Sequence, residues 1–323
     1  MSPRPPADVP PAPPVPPGAD PAGDPAPPAG FPRTARALRE ALAAHGVAPA
    51  KRHGQCFLTD VQAIDAIVRD AEVGPADAVL EVGTGTGLLT HALAEAGASI
   101  DTFDIDPRVQ ALARGFRTWP ERVRFHLVDV LESKRALAGP FLDALSRARA
   151  RVPAGPVKIV SNLPYNVATS FLLSLLALPD PPDAITVMVQ LEVAEKLLGQ
   201  TGHDDYGPPS ILRALHADGR ILRRFPPQVF WPMPSVKSAL LRLVPRRPPD
   251  LRPDEDRPFS EFLLAVFSRR RKVLSSALRN ARPALSAEAA AAALLALGLD
   301  PRIRPEDAPP VAHRDLFRAT TPR

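Results

Sequence analysis

The apolar positions of this chain follow two rhythms. Residues 34 to 45 and 60 to 71 repeat hydrophobic side chains every three or four positions, which predicts amphipathic helices, the second with Asp60 as its N-cap. Short apolar runs predict buried strands at Ala78–Val82, Ser99–Ile105, Val123–Val128, Val157–Val160 and Ala184–Gln190. Helical patterns lie among them at Leu88–Ala96, Thr169–Leu178 and Leu191–Leu198. Strands alternating with helices imply an α/β fold with a parallel sheet flanked by helices.

From about Pro248 the strand rhythm disappears. Helices are expected at Phe259–Phe267, Lys272–Asn280 and the alanine-rich Ala287–Leu297, with Gly298 as the C-cap of the last. Residues 34–248 therefore read as an α/β domain and 249–323 as a small helical domain. No internal repeat is evident.

Residues 1–33 stand apart. Residues 1 to 32 hold 14 of the 42 prolines and three aspartates. Such a segment lacks the apolar side chains that offset ordering entropy, so a disordered tail is expected. It has neither the apolar core of a secretory signal nor the basic, acid-poor composition of a transit peptide. No run of 18 apolar residues occurs, so no membrane span is expected. The single cysteine, Cys56, excludes an intramolecular disulfide and a cysteine-rich zinc site, fits a reducing cytoplasm, and leaves no metal site expected.

The net charge of +5 is weak evidence for a polyanionic partner, but its distribution says more. Between Ala217 and Arg247 stand seven basic residues (Arg220, Arg223, Arg224, Lys237, Arg242, Arg246, Arg247) and one acid, Asp218. Arg269-Arg270-Arg271-Lys272 falls within a helical pattern. Either cluster alone reads equally well as a solvated face. Together, beside a motif that can handle a base, they favour nucleic acid.

That motif is Asn162-Leu163-Pro164-Tyr165, at a strand end and downstream of Glu81-Val-Gly83-Thr-Gly85-Thr-Gly87. Glycines between a strand and a helix let the backbone turn sharply and approach a ligand. Leu88 departs from the dinucleotide fingerprint, no Gly-Lys-Ser/Thr ending makes a P-loop, and the spacing suits S-adenosylmethionine better. Asp104, 21 residues beyond Gly83, can accept protons from ribose hydroxyls, whereas Asp106 fits a helix cap better. Asp129 can accept from the adenine amino group of a cofactor. Because Gly83, Asp104, Asp129 and Asn162 all lie at strand ends, they converge on one edge of the sheet.

Pro164 biases Leu163 away from the helical region, which leaves the Leu163 carbonyl free to accept. With the Asn162 side-chain oxygen it can grip the two hydrogens of an aromatic amine and draw its lone pair out of conjugation. The nitrogen then attacks a sulfonium methyl group, and the charge that develops meets dipoles already in place. Tyr165 offers a face for stacking the base. Lys51 to Leu58 can line the cofactor mouth, touch phosphate, or simply pack. The proline-dense segment 226–234 holds Phe230 and Trp231 either in the core or as a wall of the target-base pocket.

Several of these motifs, in order over residues 51 to 280, resemble the ribosomal RNA adenine N6-dimethyltransferases. His53-Gly-Gln-Cys-Phe-Leu58 resembles that family's G-Q-N-F-L box, Glu81–Gly87 its cofactor loop, and Asn162-Leu-Pro-Tyr-Asn166 its catalytic box. Tyr206-Gly207, Pro226–Ser238 and Phe267–Lys272 resemble three further segments. The resemblance implies a class I S-adenosylmethionine-dependent methyltransferase fold, Rossmann-like, with a small C-terminal helical domain. It implies dimethylation of two adjacent adenosines near the 3′ end of 16S rRNA in the small subunit or its precursor, by a cytoplasmic monomer active in subunit maturation.

Catalysis then falls to Asn162, Leu163, Pro164 and Tyr165. Cofactor contacts fall to Cys56, Leu58, Glu81, Gly83, Gly85, Gly87, Asp104, Asp129 and Asn162. RNA contacts fall to Lys51, Arg52, Arg223, Arg224, Phe230, Lys237, Arg269, Arg270, Arg271 and Lys272. Cys56 stands where the family mostly has asparagine, and Asp104 where glutamate is usual, which weakens one side-chain contact and shortens the reach to the ribose.

Three other readings compete. The 23S rRNA branch that confers macrolide resistance shares the cofactor loop, but Gly54–Leu58, Leu163 and Phe267–Lys272 favour the small-subunit branch. A DNA adenine methyltransferase would bring a larger target-recognition domain. A non-catalytic assembly factor would not need Asn162 and Tyr165.

Overall fold

In a computed structural model, residues 34–44, 46 and 56–321 are described. The proline-rich tail, Lys51 and Arg52 lie outside them. Seven strands form one sheet: β1 (Ala78–Val82), β2 (Ser99–Asp104), β3 (Val123–Leu127), β4 (Val157–Asn162), β5 (Ala184–Gln190), β6 (Ala217–Phe225) and β7 (Ser238–Pro245). Their spatial order is β3-β2-β1-β4-β5-β7-β6. The first five run parallel, and β7 runs antiparallel to both β5 and β6, so β7 alone reverses direction.

The five expected strands all form, within a residue or two at their ends. Strands β6 and β7 extend the expected sheet. Both lie in the segment read as the basic cluster of 217–247, on either side of the proline-dense loop, because β6 places Arg220, Arg223 and Arg224 on an edge strand while β7 is buried along most of its length. Only an edge strand tolerates that charge density, since one side of it faces water.

Helices cover both faces: α1 (Ala35–Ala44), α2 (Val61–Asp70), α3 (Leu88–Glu95), α4 (Pro107–Gly115), α5 (Gly139–Arg151), α6 (Ala168–Leu176), α7 (Leu191–Leu198) and α8 (Pro208–His216). Asp60 caps α2 as expected, its Oδ1 accepting the Ala63 N–H at 2.8 Å. Asp106 likewise caps α4, accepting the Arg108 N–H at 3.0 Å. Side-chain alternation along β1 sorts the core. Ala78, Leu80 and Val82 face Phe141 of α5 and Phe171 of α6. Val79 faces Ile67 of α2 and Leu93 of α3. Each large apolar side chain buried this way contributes roughly 1.5–3 kcal/mol.

Four helices follow β7: α9 (Pro253–Phe267), α10 (Leu274–Ala281), α11 (Ala287–Ala296) and α12 (Pro310–Thr320). Their core, which includes Phe259, Leu274, Leu294 and Leu316, also takes in Tyr206, Ile211, Leu212 and Leu215 from the α8 region. The Tyr206 hydroxyl donates to the Ala308 carbonyl at 2.7 Å, which ties the two segments together.

The helical expectation for the second basic cluster does not hold. Arg269–Lys272 does not lie within a helix, because α9 ends at Phe267 with Ser268 as C-cap. Arg269 and Arg270 donate three residues back, to Val266 and Phe267, at 3.1 Å, so the chain tightens into turns before α10.

Candidate active site

The carboxyl ends of β1, β2 and β4 open onto one pocket, where ligands bind in such sheets. Gly83, Gly85, Asp104, Asp129, Asn162, Leu163, Pro164 and Tyr165 all line it, although 79 residues separate Gly83 from Asn162. Cys56, Leu58 and Glu81 line it as well. Gly87 does not; it starts α3.

Two glycines of the loop are required by backbone conformation and close contacts. Gly83 has φ +84°, and a Cβ there would lie 3.3 Å from the Asn162 carbonyl oxygen and 3.4 Å from the Pro164 ring. Gly87 has φ +77°, and a Cβ would lie 3.2 Å from that of Ala113. A side chain at either position would add left-handed strain of about 1–2 kcal/mol. The Gly83 and Thr84 N–H groups donate to the Phe103 carbonyl at 2.8 and 3.0 Å, which fastens the loop to β2.

Under the loop, Glu81 is buried on the α3 face of β1. Its Oε2 accepts from the hydroxyls of Thr90 and Thr102, the latter at 2.7 Å, and Thr102 in turn accepts from Thr84 at 2.7 Å. Its Oε1 is buried with no hydrogen-bond partner among the described residues. Burial pushes this carboxyl up to about 8, more than the two threonine donors pull it down.

Asp104 ends β2. Its Oδ2 accepts the Gly85 N–H and its Oδ1 the Asp106 N–H, each at 3.0 Å. Both oxygens keep further lone pairs toward the pocket, and burial raises the carboxyl from its usual value despite those backbone donors. Asp129 lies two residues past the end of β3, exposed, with Oδ1 accepting the Leu131 N–H at 2.9 Å. Ile105 and Val128 stand beside these two acids and add apolar walls. Sequence reasoning did not name them. Their signal is position alone: Ile105 is an apolar residue next to the strand-end acid, and it stays 49% exposed where solvent should disfavour it.

Asn162 is the last residue of β4. Its Nδ2 donates to the Cys56 carbonyl at 3.3 Å. Its Oδ1 is buried and has no donor among the described residues. A buried acceptor left without a donor carries its full desolvation cost, about 1–3 kcal/mol, unless a ligand supplies one. The Leu163 N–H donates to Met188 of β5 at 3.1 Å and the Pro164 carbonyl accepts from Val167 at 3.2 Å. No backbone donor among the described residues reaches the Leu163 carbonyl. The Tyr165 hydroxyl meets the Ser238 hydroxyl at 2.9 Å.

The segment that begins at Cys56 closes the near side. Phe57 and Leu58 pair antiparallel with Trp231 and Phe230. Cys56 reaches the site through its carbonyl, and burial pushes its thiol up, so it is not poised as a thiolate nucleophile. Phe230 is 3% exposed and packs with Leu58 and Val229 in the core, away from the pocket.

The basic residues divide. Arg223 is bound to Asp70, Arg242 pairs with Glu72, and Arg246 and Arg247 pair with Asp218, Asp250, Asp180 and Asp183. Arg270 donates to the carbonyls of Asp204 and His203 at 2.9 and 3.3 Å and pairs with Glu306. Arg224, Lys237, Arg269, Arg271 and Lys272 remain exposed.

Comparison with known proteins agrees with this geometry. The profile of the family described as ribosomal RNA adenine dimethylase matches residues 49–296. Ribosomal RNA small subunit methyltransferase A of Nocardia farcinica is 41% identical over 283 residues, covering 85% of this chain and 90% of that one. Its namesake in Phenylobacterium zucineum is 38% identical over 279 residues, with the same coverage of 85% and 90%. Among solved structures, a dimethyladenosine transferase from Plasmodium falciparum superposes with a TM-score of 0.63 at 19% identity, over 80% of this chain and 95% of that one. The 23S rRNA methyltransferase ErmE gives 0.58 at 24% identity, over 82% and 99%. At those identities the two structures establish the fold, that of class I S-adenosylmethionine-dependent methyltransferases.

Proposed function

The chain belongs to the ribosomal RNA adenine dimethylase family, and from that premise we propose that it transfers methyl groups from S-adenosylmethionine to the N6 amino groups of two adjacent adenosines near the 3′ end of 16S rRNA. The observation that carries this reading is the buried, donorless Oδ1 of Asn162 in a pocket that Tyr165 borders. An aromatic amine supplies the missing donors. The Leu163 carbonyl takes its second hydrogen, and both acceptors are aimed before the substrate arrives.

The residues present fit the cofactor. When bound, it supplies an electrophilic methyl group on a sulfonium. The backbone of Gly83 and Gly85 would hold its amino-acid end, with Glu81 and Leu58 beside it. Asp104 would hold the ribose and Asp129 the adenine amino group, between Ile105 and Val128. Asn162 orients the target nitrogen and lowers its conjugation with the ring. Tyr165 stacks on the base and excludes water. No strong base is required, because the amine proton becomes acidic as the nitrogen is alkylated.

Residues 34–248 carry the transfer in this reading and residues 249–323 help to hold RNA. The exposed Arg224, Lys237, Arg269, Arg271 and Lys272, together with Lys51 and Arg52, contact phosphate. The working protein is a cytoplasmic monomer that acts during subunit maturation. No helix among the described residues is long and apolar enough to cross a membrane.

The test is methyl transfer from labelled cofactor to purified small and large ribosomal subunits that lack their own modification, followed by nucleoside analysis. N6,N6-dimethyladenosine in the small subunit alone is expected. Label confined to the large subunit would replace this reading with the 23S one. Cofactor binding without label in either would leave an assembly role.

A further inference from the structure

The Tyr165 phenol is held by a residue from the far side of the sheet. Tyr165 follows β4, whereas Ser238 begins β7, and β5 lies between those strands. The 2.9 Å contact between their hydroxyls therefore reaches across the end of β5. Ser238 itself has nowhere to go. It is fully buried, and its backbone is paired with Gln190 of β5 on one side and with Phe225 of β6 on the other.

Stacking does not require this bond, because a phenylalanine ring offers the same face. Acid–base work does not explain it either, since burial pushes the Tyr165 phenol up and the Ser238 hydroxyl is its only hydrogen-bond partner among the described residues. What the bond supplies is a fixed ring direction. The amine must meet Asn162 Oδ1 while the ring covers the base, and a positioned group must stay within a fraction of an ångström of its working place.

We propose that Ser238 is a positioning residue that locks the Tyr165 ring over the target base by holding its hydroxyl from β7. This rests on the methyl-transfer reading given above. It also gives the reversed strand a task at the site, as the rigid anchor that the neighbouring parallel strand does not provide.

The chain has only two tyrosines, Tyr165 and Tyr206, so 3-fluorotyrosine labelling gives two fluorine signals, with Tyr165 assigned by its loss in Tyr165→Phe. In Ser238→Ala the Tyr165 signal should move toward that of a ring whose hydroxyl has lost its partner and whose axis swings, while the Tyr206 signal stays in place. Ser238→Thr, which keeps the hydroxyl, should restore it. An unmoved Tyr165 signal in Ser238→Ala would overturn the proposal whatever the substrate proves to be.

On small-subunit RNA, Ser238→Ala and Tyr165→Phe should each lower turnover about tenfold, and the double variant should lose no more than either single one. Affinity for the cofactor should not change. Additive losses, or full turnover in Ser238→Ala, would also overturn the proposal. If the unaltered protein transfers no label to the small subunit, the substrate assignment fails, and the fluorine signals still decide whether Ser238 holds the ring.

Discussion

The side-chain amide of Asn162 donates to the main-chain carbonyl of Cys56 at 3.3 Å. Cys56 stands where an asparagine was expected, yet its contribution here comes from the backbone, which any side chain supplies. By taking the Nδ2 hydrogen, that carbonyl fixes which end of the Asn162 amide faces the pocket. Cys56→Asn should therefore preserve turnover and change cofactor affinity by less than about fivefold, as read by titration calorimetry. A loss of turnover beyond that would mean that the thiol itself is needed.

Glu81 couples stability to pH in an unusual direction. Its carboxyl rises from 4.5 in the unfolded chain to about 8 in the fold. Between those values the unfolded state has lost a proton that the folded state keeps, so stability falls as pH rises through that window and levels off above it. Glu81→Gln keeps an acceptor for both threonines and has no proton to lose. It should melt higher than the unaltered protein at pH 8, by at most about 4 kcal/mol, with the gap closing toward pH 5. Parallel melting curves from pH 5 to 8 would show that Glu81 is ionised in the fold.

Gly83→Ala places a Cβ at φ +84° and 3.3 Å from the Asn162 carbonyl oxygen. The strain of about 1–2 kcal/mol should appear in thermal melts, and the displaced turn should weaken cofactor binding by at least tenfold. Gly46, also at positive φ (+62°) but with nothing among the described residues within 4 Å of an added Cβ, serves as the control. Gly46→Ala should cost stability without touching cofactor affinity. Equal effects at the two positions would mean that backbone strain alone matters.

Arg270 and Arg271 are neighbours with different work. Arg270 braces the 203–204 turn and Glu306, so Arg270→Glu should lower the melting temperature. Arg271 is exposed, so Arg271→Glu should leave stability unchanged, weaken RNA binding and reduce its salt dependence by about one counterion. Filter binding at several salt concentrations, beside thermal melts, separates the two. A fall in melting temperature for Arg271→Glu would count against this division.

The central sheet was legible because β1, β4 and β5 are short apolar runs, and the strand-end rule gathers Gly83, Asp104 and Asn162 from the sequence alone. Other features left no such trace. Strand β6 carries its charge on an exposed edge, so it reads as a basic patch. The turn at 268–272 escaped because arginine and lysine are good helix formers, and only the α9 C-cap at Ser268 reveals the break. The Tyr165–Ser238 contact joins residues 73 apart on strands that are not neighbours, and no local pattern encodes such a pair. Glu81 was visible as part of the glycine motif, but its upward shift depends on burial by α3, which sequence spacing does not report.

In the proposed reaction the Asn162 oxygen is the acceptor that grips the target amine. Asn162→Ala removes that oxygen and leaves the glycine loop, Asp104 and Asp129 in place. Cofactor affinity and single-turnover methyl transfer to small-subunit RNA should be measured on the same preparation. Affinity should stay within a few-fold of the unaltered protein and the transfer rate should fall by about 10²–10³, the usual cost of one preorganised electrostatic contact. Transfer at an undiminished rate, with the cofactor bound as before, would contradict this role of Asn162.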